Sequence, residues 1–223
     1  MATRIKHTQS TEVIGTGTFS SAAVIVEGDD FIAENAIFKN SAPQVSGQAA
    51  AACVTADRCA FYNCHSWVIQ ETLHLHGGKQ FFKNCYIEGN CDFIFGDSTA
   101  LLEHCHTHCK STGYITAHGR KSSSESTGFV FFKCVITGNG EAVYMYLGRP
   151  WDPFGRVVFV ETFMDQDHCI EPVGMLEWVA WCKKVVSDEA IPFLCKNFRR
   201  SRCAEFMVSP QSGTKLPVSI ASP

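Results

Sequence analysis

Across its 223 residues the chain has few charges and no excess of either sign worth the name: 18% of residues are charged and the net charge is −3. Without a basic patch there is no electrostatic case for nucleic acid or an anionic membrane surface. No apolar run approaches the length that a membrane helix needs. The start, MATRIKHTQSTEV, is polar and lacks the apolar core of an export signal. That leaves two readings, an intracellular chain or a missing upstream segment. Twelve cysteines are present, yet no CxxC pair occurs, so the zinc-ribbon spacing is excluded. Long 3.6-period apolar runs are also missing, which excludes a helical solenoid.

What the chain does have is a repeat. FIAENAIFKN (31–40), CAFYNCHS (59–66), QFFKNCYIEG (80–89), ALLEHCHTHC (100–109), GFVFFKCVITG (128–138) and RVVFVETFMD (156–165) align on one column. That column holds Ala36, Cys64, Cys85, Cys105, Cys134 and Thr162, at intervals of 28, 21, 20, 29 and 28 residues. Asn35, Asn63 and Asn84 directly precede it. The units are rich in Val, Ile, Phe and Tyr and are separated by Gly, Ser, Asn or Asp, a strand signature with turn punctuation. Short strands joined by loops of variable length predict an all-β, parallel β-helix whose coils stack at ~4.8 Å. The column cysteines are then an internal ladder of buried, reduced thiols, since free cysteine packs as a small hydrophobe. The expected β-helix covers residues 1–166. Residues 167–223 are expected to form a divergent end, with an amphipathic helix over 177–190 capping the last coil and a flexible tail from 209.

Two acids share an offset from the column: Glu71 is Cys64 plus seven and Asp92 is Cys85 plus seven. Equal offsets on stacked coils place them ~5 Å apart. Two carboxylates that close do not ionise together, so one serves as proton donor and the other as nucleophile or base. Both could instead be solvated turn residues. Against that, the apolar FIF of DFIFG directly follows Asp92, which argues for partial burial. The spacing alone does not name a reaction, since about 5 Å also suits a retaining glycosidase.

HCHTHC (104–109) invites a metal reading. Strand alternation puts His104, His106 and His108 on one face and Cys105 and Cys109 on the other, so the set cannot converge on zinc. No metal site is expected. KSSSES (121–126) reads as a solvated loop between coils.

GQAAAA (47–52), QETL (70–73), DFIFG (92–96) and LGRPW (147–151), in this order on a cysteine-laddered repeat, resemble the plant pectin methylesterases, or pectinesterases. The resemblance runs from about Ala2 to Trp178. It implies a right-handed parallel β-helix that hydrolyses methyl esters of galacturonate in cell-wall pectin, methylated homogalacturonan, with no metal or organic cofactor. Asp92 would be the nucleophile and Glu71 the acid and base. Gln48 and Gln70 would hold the anionic intermediate, Arg149 would hydrogen-bond Asp92, and Trp151 and Phe95 would line the substrate groove. The resemblance further implies export to the cell wall and a proteinaceous inhibitor as a partner.

Several positions depart from the family pattern. The acid is usually aspartate, and Glu71 moves its carboxylate out by one methylene, a shift of the size that costs about 100-fold in rate when a catalytic group is misplaced. Ile69 and His74 replace aromatics, His118 replaces a glutamine, and Met175 replaces a tryptophan. The family's N-terminal coils are not in this chain, which suggests a truncated or alternatively spliced product. These departures support an alternative, a catalytically impaired relative that binds pectin or a partner protein.

Overall fold

The computed structural model describes residues 3–7, 19–42, 49–67, 72–140, 145–165 and 169–170. They form three parallel sheets wound as one solenoid. The first, here the ladder sheet, stacks β1 (Thr3–His7), β4 (Ala36–Asn40), β7 (His65–Trp67), β10 (Tyr86–Gly89), β13 (His106–Cys109), β16 (Val135–Gly138) and β19 (Phe163–Met164). The second, the groove sheet, stacks β2 (Val24–Val26), β5 (Ala52–Val54), β8 (Leu73–Leu75), β11 (Ile94–Gly96), β14 (Gly113–His118), β17 (Met145–Pro150) and β20 (Cys169–Ile170). The third, the back sheet, stacks β3 (Ile32–Glu34), β6 (Cys59–Tyr62), β9 (Lys79–Lys83), β12 (Thr99–Glu103), β15 (Gly128–Phe132) and β18 (Val157–Val160). Each coil visits back, ladder and groove sheets in turn, so every ladder pairs residues one coil apart.

The repeat column is a corner of the solenoid. Each column residue is buried, from Ala36 through the four cysteines to Thr162. The residue before each has a left-handed backbone: Asn35, Asn63, Asn84, His104, Lys133 and Glu161 have φ between 45° and 54°. Asparagine tolerates that conformation best, which explains the recurring Asn-Cys pair. The thiols do more than fill space. Cys85 Sγ–H donates to Phe61 O (3.4 Å), Cys105 to Phe82 O (3.5 Å) and Cys134 to Leu102 O (3.3 Å), each one coil back. Thr162 closes the ladder in the same way, its hydroxyl donating to Phe131 O at 3.1 Å. Cys53, Cys59, Cys64, Cys85, Cys91, Cys105, Cys109 and Cys134 are all free, and burial pushes the Cys105 thiol well up.

Beside the ladder runs a column of rings on the inner face of the back sheet. Phe61 and Phe82 stack at 4.6 Å, and Phe131 and Phe159 at 4.8 Å. Burying each such ring contributes ~1.5–3 kcal/mol before entropy is counted. The alternation expected of HCHTHC holds. Cys105 and Cys109 are buried, His104 is exposed at its turn, and His106 and His108 lie half-buried on the outer face. There His106 Nε2 and His108 Nδ1 both meet Thr137 Oγ1, at 2.7 and 2.8 Å. β20 pairs Met145 with Cys169 and so carries the groove sheet just beyond residue 166. The expected cap helix and tail lie outside the described residues.

Candidate active site

DFIFG builds the site from its backbone outward. Asp92 precedes β11 in a left-handed conformation, φ 48°, and its N–H donates to Tyr114 O at 2.7 Å. Phe93 and Ile94 are fully buried and anchor the segment in the core. Gly96 closes it at φ 118°, where a Cβ would lie 2.1 Å from Leu75 O, so only glycine fits. Asp92 is thereby fixed with 4% of its surface exposed.

Burying a carboxylate needs a partner, and β17 supplies one. Arg149 Nε lies 3.0 Å from both Asp92 oxygens, and Nη2 makes a further short contact with Oδ2. The two residues stand 57 apart in sequence and meet because β11, β14 and β17 are successive rungs. Pairing with Asp92 pushes the guanidinium pKa up further. The arginine side chain is 46% exposed against 6% for the aspartate, so the pair opens to solvent on the arginine side. Tyr114 supports it from below, with the guanidinium carbon 5.1 Å from the ring centre, and Tyr146 stacks on Tyr114 at 5.1 Å. Both tyrosines escaped sequence reasoning. The signal available was column arithmetic: β14 and β17 pair Tyr114 with Tyr146, three residues before Arg149.

Outward residues of the groove sheet form a second column: Cys53, His74, Phe95, Ala117 and Arg149. His74 and Phe95 stack at 4.4 Å with planes 11° apart. Alongside runs an open groove of about 550 Å³ lined by Phe19, His74, His76, Phe95, Lys121 and Trp151, among others. Trp151 is 56% exposed at its edge, and its backbone N–H donates to His118 O. Cys91, half-buried, neighbours the pair, and burial pushes its thiol up. His118, in contrast, is an interior group. Its Nδ1 accepts the Arg156 N–H at 3.2 Å, its Nε2 meets Ser98 O at 3.3 Å, and Phe129 packs edge-on at 4.5 Å.

Of the residues expected at the site, the structure brings Asp92 and Arg149 into contact and puts Phe95 and Trp151 on one groove. Glu71, Gln70 and Gln48 lie outside the described residues. Among the described residues no cluster of three or more His, Cys, Asp or Glu is arranged to hold a metal.

The fold is shared with known proteins. The Pectinesterase family model matches residues 2–186. Pectinesterase 31 of Arabidopsis thaliana is 53% identical over 244 residues, covering 98% of this chain and 76% of that protein. Among solved structures, the pectin methylesterase from carrot superposes with a TM-score of 0.72 at 32% identity, over 77% of this chain and 58% of that one. A pectin methylesterase crystallised in complex with a hexasaccharide gives 0.71 at 27% identity, over 76% of this chain and 63% of that one. The chain thus spans about three-fifths of the solved relatives it matches. Its winding is that of these right-handed parallel β-helices. Matched from its first strand to beyond its last described one, the chain belongs to the pectinesterase family of carboxylic ester hydrolases.

Proposed function

We propose that this chain hydrolyses the methyl esters of galacturonate in pectin, as a pectin methylesterase. The observation that carries this is the buried Asp92 carboxylate, gripped by the Arg149 fork beside an aromatic-lined groove. A fixed carboxylate whose counter-charge is built in suits nucleophilic attack better than proton donation. Asp92 attacks the ester carbonyl carbon, and Gln48 and Gln70 donate hydrogen bonds to the developing oxyanion, each worth ~3 kcal/mol in such a role. The tetrahedral intermediate collapses, the C–O bond to the methoxy group breaks, and Glu71 supplies the proton with which methanol leaves. Glu71, now a carboxylate, takes one proton from water as it attacks the acyl-enzyme; the acyl–oxygen bond to Asp92 breaks, Asp92 leaves as a carboxylate, and the galacturonic acid gives its remaining proton to solvent. The three roles outside the described residues rest on the matching motifs GQAAAA and QETL. No step requires a metal or an organic cofactor.

The sugar rings would stack along Phe95 and Trp151, in keeping with the hexasaccharide bound by the solved relative. Such a substrate supports a location at the plant cell wall. Several relatives are named pectinesterase/pectinesterase inhibitor, which supports a proteinaceous inhibitor as a second partner. Glu71 favours a second reading, a pectin-binding protein whose acid sits one methylene too far out. Incubation of purified protein with highly methylated pectin separates the readings. Methanol identifies the esterase, new reducing ends identify a glycosidase, and neither product with retained pectin binding identifies the silent form.

A further inference from the structure

We propose that His74 is a substrate-contacting residue: an uncharged N–H donor that recognises a methyl-esterified galacturonate unit beside the one attacked at Asp92. The proposal rests on the pectin methylesterase reading and names the subsite chemistry of that groove.

His74 projects from β8 in the outward column of the groove sheet, between Cys53 and Phe95. Three of its aspects are already committed. One flat face lies on the Phe95 ring at 4.4 Å. His76 stands edge-on at 5.3 Å. Nδ1 is 3.5 Å from Cys53 Sγ. The Cys53 side chain has no exposed surface, and burial pushes its thiol up to about 12, so the sulfur keeps its proton, and we assign the thiol as the donor of this contact. Nδ1 is then an acceptor, and a neutral imidazole must carry its own proton on Nε2. Nε2 has no hydrogen-bond partner among the described residues, while the ring lines the groove. The one free donor of His74 therefore serves the groove.

The second half of the argument is charge. Burial first, and then the neighbouring His76, push His74 down to about 4, so it is neutral wherever the protein works above that pH. The other ionisable groups lining the groove are His76, Asp97, Lys121 and Asp152. Burial pushes the Asp97 carboxyl up, and Thr127 donates to it at 2.7 Å. A free galacturonate carboxylate here would meet two carboxyl groups, one ammonium and no imidazolium from His74. An ester carries no charge, and its carbonyl oxygen accepts the Nε2 proton. The discrimination lies in charge and not in the hydrogen bond, which a carboxylate would accept more strongly. Asp97 and Asp152 face the groove and an uncharged His74 adds no cation to offset them, so the groove favours esterified neighbours and a chain would lose affinity as it is de-esterified.

Proton–nitrogen correlation NMR of the whole chain reads the tautomer directly, before and after titration with a fully methyl-esterified hexagalacturonate. The expected result is a proton on Nε2 of His74 whose resonance moves on saturation. In parallel, His74→Phe keeps the ring against Phe95 and removes the donor. Losing one neutral hydrogen bond should raise KM for the esterified hexamer roughly three- to tenfold, with a smaller change in kcat. A proton on Nδ1, an Nε2 proton unmoved by saturating hexamer, or an unchanged KM in His74→Phe overturns the proposal. If no methanol forms yet the His74 resonance moves, the esterase reading falls, and with it the attacked unit, leaving His74 as a contact of a groove that binds the ester without cleaving it. If the hexamer does not bind, both fall. Should His74→Phe fail to fold, the NMR titration of the unaltered protein decides alone.

Discussion

His118 offers a sharp test of how this solenoid spends its interior. The side chain has no exposed surface and both ring nitrogens are engaged, Nδ1 accepting from the Arg156 backbone and Nε2 facing Ser98 O. Burial pushes its pKa down to about 3, against 6.5 for an ordinary histidine. The unfolded chain therefore binds a proton near pH 6.5 that the folded chain refuses until about pH 3. Stability is intact above pH 6.5 and is lost as the pH falls, at ~1.4 kcal/mol per unit. Between pH 6.5 and 4.5 the loss from this one residue is about 2 kcal/mol, a large part of the ~5–15 kcal/mol of a typical domain. His118→Gln retains a donor and an acceptor but does not titrate. Urea unfolding of both proteins at the two pH values isolates the term, because every other titrating group is common to them. The unaltered protein should lose about 2 kcal/mol more than the variant on acidification. Equal losses would refute the placement of a neutral histidine in the core.

Other consequences are quick to check. Gly96→Ala must adopt φ 118° and put a Cβ 2.1 Å from Leu75 O, so it should cost ~3 kcal/mol or more, whereas Gly28→Ala, with nothing within 4 Å, should melt with the parent. Arg149→Lys keeps the charge but not the fork, and methanol release should fall about 100-fold with little change in melting temperature. Peptide mapping after iodoacetamide treatment of the native protein should find Cys91 alkylated and Cys64, Cys85, Cys105 and Cys134 untouched. Alkylation of all five at one rate would mean that the ladder is not buried.

The solenoid was legible because its period is written in small residues. One column of Ala, Cys and Thr suffices to place the corner of each coil, and the left-handed turn before it explains the asparagines. Of the site, the burial of Asp92 could be read from the apolar FIF that follows it. Its partner could not be reached by spacing, because the intervals between columns vary and the rung that Arg149 joins depends on every loop between. That pairing came from the LGRPW resemblance. His118 reads in sequence only as a replacement of the family's glutamine, since strand alternation says nothing of a strand buried on both faces. In β14, Thr116, Ala117 and His118 are all buried, and the pattern that marks one face is lost. The Tyr114 support of Arg149 and the His74–Phe95 stack are contacts between rungs, and they become visible only once the register is known.

The central claim is that Asp92, held by Arg149, is the nucleophile of a pectin methylesterase. Methanol release from highly methylated pectin, by the purified protein and by Asp92→Asn side by side, tests it most directly. The account predicts release by the first and none above background by the second, with Glu71→Asp releasing methanol at least as fast as the parent. Equal release by the parent and Asp92→Asn would contradict it, because the chemistry would then belong to another residue.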